Sequence, residues 1–386
     1  MQLAVGDYLE DRYVIDRAIA RGGMATVYRC VDVRLGREVA AKVMHEQYVH
    51  DPVFRDRFRR EARAMAQLSH PNLVNVYDFS AQGESVFLIM ELITGGTLRE
   101  LLDERGPMPP HAAAAVMRGM LTGLAVAHGK GLIHRDIKPD NVLINSDHRV
   151  KLADFGLVRA AADATHSTDQ IIGTVAYLSP EQVDGSTMTC ASDVYSAGIV
   201  LFELLTGRTP FAGETPLAHA YARLSQDIPA PSSLIGGVPK LFDELVATAT
   251  ARHPEDRFRD AAEFLAALED VAAALRLPAF TVPAPRNAAA NRAAAHPTSF
   301  HSLPEAAADV GSTRLFPDPP SAPTPVARPP APPAARPQIK PVTNRSGVGL
   351  AVFLALSIAA AAAVAIGGWW FGSGLYGVLP PLIAGL

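Results

Sequence analysis

One stretch restricts this 386-residue chain more than any other. His134-Arg135-Asp136-Ile137-Lys138-Pro139-Asp140-Asn141 gathers two carboxylates, two cations and a carboxamide within eight residues. Asp154-Phe155-Gly156 begins thirteen residues after Asn141. Between them, Val142-Leu143-Ile144 and Val150-Lys151-Leu152 flank the turn residues Asn145-Ser146-Asp147 and read as a hairpin. That hairpin sets Asp154 just past a strand end, where it converges with Asn141. Asp136 is a proton acceptor, Asn141 and Asp154 are oxygen donors for a hard divalent cation, and Lys138 is a positive charge for an anion. Phosphoryl transfer needs that set of groups. The plain alternative is a polar loop between two apolar strands.

Bulk properties narrow the classes around that loop. The formal charge of −4 hides an asymmetry: residues 276–345 carry eight Lys/Arg against three Asp/Glu, which leaves about −9 on residues 1–275. An acidic folded part argues against direct contact of the catalytic domain with nucleic acid. Cys30 and Cys190 stand far apart, with neither a disulfide framework nor zinc spacing, which fits a reducing compartment. The first residues, Met1 to Asp7, lack the basic and apolar regions of a secretory signal.

Upstream of the loop, residues 12–43 read as three strands broken at Gly22-Gly23. Ala20-Arg21-Gly22-Gly23-Met24-Ala25-Thr26-Val27 aligns with a G-x-G-x-x-G-x-V hairpin, but Ala20 and Ala25 replace its outer glycines. Val39-Ala40-Ala41-Lys42 follows on the next strand. Asp51-Pro52 starts a helix whose buried face is Phe54, Phe58, Ala62 and Met65, with Glu61 beside it; His70-Pro71-Asn72 is expected to end it. Val86 to Met90 is a buried strand. Downstream, Gly96 opens helical patterning, and Pro110 to His128 is an Ala/Met/Leu-rich helix. Later come Gly173-Thr174, Ser179-Pro180-Glu181, a hydrophobic helix opened by Ser192-Asp193, whose plain alternative reading is a Ser192 N-cap with an acid in the first turn, and His253-Pro254-Glu255-Asp256-Arg257.

In order and spacing these segments resemble the signature set of the eukaryotic-like (Hanks-type) bacterial Ser/Thr protein kinases. The resemblance covers roughly residues 12–270. Gly95 to Leu102 and Glu104 to His111 are similar to the actinobacterial PknL type. It implies an α+β, bilobal fold with a β-rich N-lobe and a helical C-lobe, and ATP with Mg²⁺ (or Mn²⁺) as cofactors. Asp136, Lys138 and Asn141 would be catalytic, and Asn141 and Asp154 would hold metal. Ala20, Gly22, Gly23, Val27, Ala40, Lys42, Glu61, Met90, Glu91 and Ile93 would form the ATP site. There Lys42 would meet the α/β-phosphates and pair with Glu61. Met90 would be the gatekeeper and Glu91-Leu92-Ile93 the hinge. Thr168, with Thr165 and Ser167, would be activation-loop phosphosites read by Arg135. Thr174, Glu181, Asp193 and Arg257 would be structural, Asp193 bracing the catalytic loop and Arg257 pairing with Glu181. Lys138 and Thr174 favour Ser/Thr over Tyr acceptors. Arg12, Leu35 and Asp78 match positions that form a back-to-back N-lobe homodimer in related receptor-type kinases.

The rest of the chain reads differently. Residues 278–341 hold 16 of 31 prolines with few large apolar side chains, so 276–346 is expected to be a disordered juxtamembrane linker. Val348 to Phe371 is 24 residues without a charge. At 1.5 Å per residue that is about 36 Å, long enough for a single transmembrane helix. Trp369 and Trp370 suit an interfacial belt, and Lys340 and Arg345 place the kinase domain in the cytoplasm. Residues 372–386 would be a short extracytoplasmic tail. The expected function is a membrane-anchored Ser/Thr kinase that phosphorylates proteins and itself in signal transduction. A pseudokinase scaffold and a small-molecule phosphotransferase are the rivals. The altered glycine loop favours the first, and the intact activation segment opposes the second.

Overall fold

The computed structural model describes residues 3–83, 85–155, 175–211 and 216–294. The N-terminal lobe is a six-stranded antiparallel sheet in the order β1-β2-β3-β4-β6-β5. Its strands are β1 (Tyr8–Leu9), β2 (Tyr13–Arg21), β3 (Ala25–Asp32), β4 (Arg37–Met44), β5 (Val76–Ser80) and β6 (Phe87–Met90). Alternation drives this sheet. Leu9, Tyr13, Ile15, Tyr28, Cys30, Val39 and Ala41 bury one face. The other face is covered by α2 (Pro52–Ala66), which follows the single-turn α1 (Glu46–Val49). The Asp51 side chain accepts from Val53 N at 2.8 Å and caps α2, with Pro52 at its first position. Phe54, Phe58, Ala62 and Met65 then lie on one stripe against Leu88. The helix stops at Ala66, earlier than the His70-Pro71-Asn72 expectation. That tripeptide forms a separate turn in which Asn72 N donates to His70 Nδ1.

The C-terminal lobe is helical around a small sheet, β7 (Gly96–Thr97), β8 (Val142–Ile144) and β9 (Val150–Leu152). Its helices are α3 (Leu98–Arg105), α4 (Pro110–His128), α5 (Pro180–Asp184), α6 (Cys190–Thr206), α7 (Pro216–Ser225), α8 (Pro231–Leu234), α9 (Lys240–Ala249) and α10 (Ala261–Ala274). Helices α4 and α6 are apolar on nearly every side because other helices surround them. The N-cap of α6 is Thr189, not Ser192: Thr189 Oγ1 accepts from Ala191 N, and Ser192 returns the bond from inside the first turn.

The boundary with the linker is also different from expectation. Residues 276–294 are folded onto the domain and end in a short helix, α11 (Ala289–Ala294). Val282 and Ala288 are 4% and 0% exposed. Composition alone suggested disorder, but small apolar side chains at a few non-periodic positions suffice for docking. The remainder of the linker, the uncharged span 348–371 and the tail 372–386 lie outside the described residues. Among the described residues no helix is long and apolar enough to cross a membrane.

Candidate active site

The loop between α4 and β8 is suspended from α6. Asp193 Oδ1 accepts from Arg135 N at 2.7 Å, and Oδ2 accepts from His134 N at 2.6 Å. The same Oδ2 lies 2.9 Å from His128 Nε2 on α4. His134 is fully buried, its Nε2 is 2.8 Å from Ala153 O, and burial pushes its pKa down. This anchorage holds Arg135 at φ +69°, a left-handed conformation that costs a non-glycine residue energy. Past that kink, Lys138 Nζ is 2.8 Å from Asp136 Oδ2. Asn141 Nδ2 donates to Asp136 O at 2.7 Å and to Asp136 Oδ2 at 3.0 Å. Three of the expected site residues thus share one carboxylate. Because Nδ2 is turned inward to Asp136, the carboxamide oxygen of Asn141 is the atom left to face a cation.

Asp154 follows β9 at φ +57°, and Phe155 packs on the His134 ring at 4.5 Å. The Asp154 carboxylate meets the N-terminal lobe: Oδ1 lies 2.8 Å from Lys42 Nζ. Here the structure corrects the expectation for Glu61. Lys42 pairs with Asp154 and not with Glu61, whose buried Oε2 has no hydrogen-bond partner. Burial raises the Glu61 pKa, against the pull of Arg135, Arg57 and Arg60. These residues line a cavity of about 770 Å³ with Phe155 and Gln182. Gln182 Nε2 donates to Arg135 O, so α5 and the catalytic loop are joined at its edge.

The glycine-rich turn sits above. Strand register sets Ala20 opposite Val27, Val27 opposite Lys42 and Ala40 opposite Met90. Gly22 N donates to Ala25 O at 2.9 Å, which closes a tight turn despite the alanine substitutions. His45, absent from the sequence expectations, grips that turn. Its Nδ1 is 3.0 Å from Gly23 O, its Nε2 is 3.3 Å from Thr26 Oγ1, and its backbone N donates to Met24 O. In the segment expected to be the hinge, Glu91 turns its carboxylate toward Lys151 Nζ at 2.9 Å and accepts from Asn75 Nδ2 at 2.9 Å. Met90 and Ile93 are buried at the two ends of that stretch.

Residues 13–276 match the protein kinase domain family. The chain belongs to that family. Over 288 residues it is 58% identical to the serine/threonine-protein kinase PknL of Mycobacterium tuberculosis, covering 74% of this chain and 72% of that protein. That match is too long to end at residue 276 wherever it begins. It is 42% identical to a probable serine/threonine-protein kinase PknB of Bifidobacterium longum over 265 residues, 66% of this chain and 38% of the other. The crystal structure of the M. tuberculosis PknI kinase domain superposes with a TM-score of 0.58 at 26% identity, covering 70% of this chain and 99% of that one. The protein is therefore a bacterial Hanks-type serine/threonine kinase of the PknL type.

Other expected residues of the kinase fall as follows. Arg257 pairs with Glu181 through Nη1–Oε1 at 2.8 Å and Nη2–Oε2 at 3.0 Å, and its side chain is fully buried. Arg12 reaches Asp32 at 2.8 Å and Asp78 at 3.1 Å, and Tyr13 Oη donates to Asp78 at 2.7 Å. Leu35 is 60% exposed on the same lobe. Thr165, Ser167, Thr168 and Thr174 lie outside the described residues. One partly buried cluster went unread in the sequence: Arg99 Nη1 donates to Glu203 Oε1 at 2.8 Å, and both bond the hydroxyl of Tyr177. Its signal was a lone glutamate in the otherwise apolar helix 194–205. The hinge pair had a similar signal, a lysine inside the buried strand Val150-Lys151-Leu152.

Proposed function

We propose that this kinase transfers the γ-phosphate of ATP, bound with Mg²⁺ or Mn²⁺, to serine and threonine hydroxyls of protein substrates. The observation that carries the reading is the shared carboxylate of Asp136, aligned by Lys138 and Asn141. Asp136 accepts the proton of, or orients, the acceptor hydroxyl, and Lys138 neutralises charge on the group in transfer. The oxygen donors of Asn141 and Asp154 suit a small hard cation, so both fit a metal site. When bound, that cation neutralises phosphate charge. Lys42, on β4 opposite Val27, faces the phosphates once it leaves Asp154. Asp136→Asn is expected to lower kcat about 10²–10⁴-fold with nucleotide affinity retained. Near-wild-type turnover would sink the assignment, and no incorporation of labelled phosphate by wild type would favour the scaffold reading.

Glu61 without Lys42 suits a resting state. The cavity where Arg57, Arg60 and Arg135 meet would receive a phosphorylated Thr168, or Thr165 or Ser167, delivered by autophosphorylation. Full activity in a Thr165→Ala/Ser167→Ala/Thr168→Ala variant would exclude that control. The uncharged span 348–371 supports a single-pass anchor in the cell membrane with the kinase domain cytoplasmic, in a signalling role. Recovery of the full chain in the soluble fraction would count against it. The Arg12–Asp78 pair beside exposed Leu35 supports an N-lobe homodimer; sedimentation of wild type and Leu35→Asp as identical species would refute it.

A further inference from the structure

The chain does not leave the catalytic domain where α10 ends. It runs back over the C-lobe as a strap. The Phe280 ring meets the His111 ring edge-on at 5.3 Å, and Val282 sinks into the lobe's core with its carbonyl 3.2 Å from His148 Nδ1. Two carboxylates of α3 then hold it by its backbone. Arg286 N donates to Glu104 at 2.7 Å, and Ala289 N donates to Glu100 Oε1 at 2.9 Å. Glu100 thereby serves two helices, since its Oε2 accepts from Thr97 N at the start of α3.

Between those anchors the strap fills a space kept open by a glycine. Gly96 has φ +131°, and a Cβ there would lie 2.5 Å from Ala288 Cβ and 2.6 Å from Pro285 Cγ. Ala288 and Pro285 are buried in that contact. From this seat α11 lies alongside both β7 and β2, with Cα atoms within 8 Å of each. Those strands belong to different lobes. β7 begins three residues after Ile93 at the end of the hinge, and β2 carries Ala20 into the glycine-rich turn. The strap is thus a second link between the lobes beside the hinge.

From this we infer that residues 277–294 are a positioning element of the nucleotide cleft, in which α11 braces β2 over a C-lobe anchor and retains bound nucleotide. The inference rests on the ATP reading above. Nucleotide leaves when the two lobes part. Parting β2 from β7 must break the contact of α11 with one of them, so the strap slows departure. It touches neither the acceptor hydroxyl nor the phosphates, and the acceptor side of the reaction should not sense it.

The test uses the full chain and a fluorescent ATP analogue with Mg²⁺. Ala288→Glu forces a charged side chain into the contact with Gly96. A second variant replaces residues 289–294 by glycine and serine at equal length, which leaves the C-lobe anchors through Ala288 in place. Both are expected to speed nucleotide dissociation and raise its Kd by about 5-fold or more, with the KM for a peptide substrate unchanged. Unchanged nucleotide dissociation in the folded variants overturns the inference, as does slower dissociation. Should Ala288→Glu fail to fold, the helix replacement decides alone. A wild-type chain that binds no nucleotide would defeat the ATP reading itself, whereas equal binding by wild type and variants defeats only the strap.

Discussion

Lys42 is an ammonium with two carboxylates in prospect, and in this arrangement Asp154 holds it. The cost falls on Glu61, whose buried oxygen lacks a hydrogen bond and whose pKa burial has raised. An acid with a raised folded pKa destabilises the fold when ionised, and the cost disappears as pH falls through that pKa. Glu61→Gln should therefore raise Tm at neutral pH, and the gain should shrink in acid. The same variant should lose kinase activity if catalysis requires the Lys42–Glu61 pair; thermal unfolding and a peptide assay on one preparation check both. His45 offers a second test. His45→Ala should raise the KM for ATP with kcat little changed, and His45→Asn, whose amide nitrogen overlays Nδ1, should restore it. Equal KM values in all three proteins would show that the grip on Gly23 and Thr26 is idle. Spacing in the sequence put Lys42 on a strand and Glu61 on the neighbouring helix face. It did not reveal that they stand apart, because the rotation of α2 against the sheet is a tertiary property that no local pattern encodes. His45 was invisible for a related reason: its partners are mainly backbone carbonyls.

Between elements, the Glu181–Arg257 pair ties α5 to the turn before α10. Burial alone would push the Glu181 carboxyl up, but hydrogen bonds from Arg257 and Ser192 and the Arg257 charge bring it below its ordinary 4.5. A depressed folded pKa gives stability that is present above the unfolded value and is lost as pH falls through the folded one. Arg257→Met should cost about 3–5 kcal/mol at neutral pH because it strands a buried carboxylate. Denaturant unfolding should show that penalty narrowing already as pH falls toward the ordinary value of 4.5, because without Arg257 burial pushes the Glu181 carboxyl up and it takes a proton sooner. Elements with a strong pattern were legible in advance: the Asp51-Pro52 start of α2, the full length of α4, and the β8–β9 hairpin. Termini were less so. Thr189 and Ser192 are both good capping residues, and only the fold selects Thr189 as the cap. The strap was misread because proline and alanine signal disorder on average, while Pro285 and Ala288 here fill a gap that Gly96 leaves.

At the scale of the molecule, the loop that carries Asp136 is tied into the C-lobe. Every residue of α6 from Ala191 to Thr206 is buried, and Asp193 at its start holds two backbone amides of the loop. Removal of those bonds needs more than a local fluctuation, since Asp193 cannot withdraw without unwinding the first turn of a helix packed on all sides. The loop's amides are therefore clocks for the whole lobe. In D₂O, the His134 and Arg135 amides should exchange as slowly as those in the interior of α6 and with the same denaturant dependence. Fast exchange at these two positions beside a protected α6 would show a loop that opens independently. Slow exchange would mean that the catalytic groups keep their places for as long as the lobe remains folded.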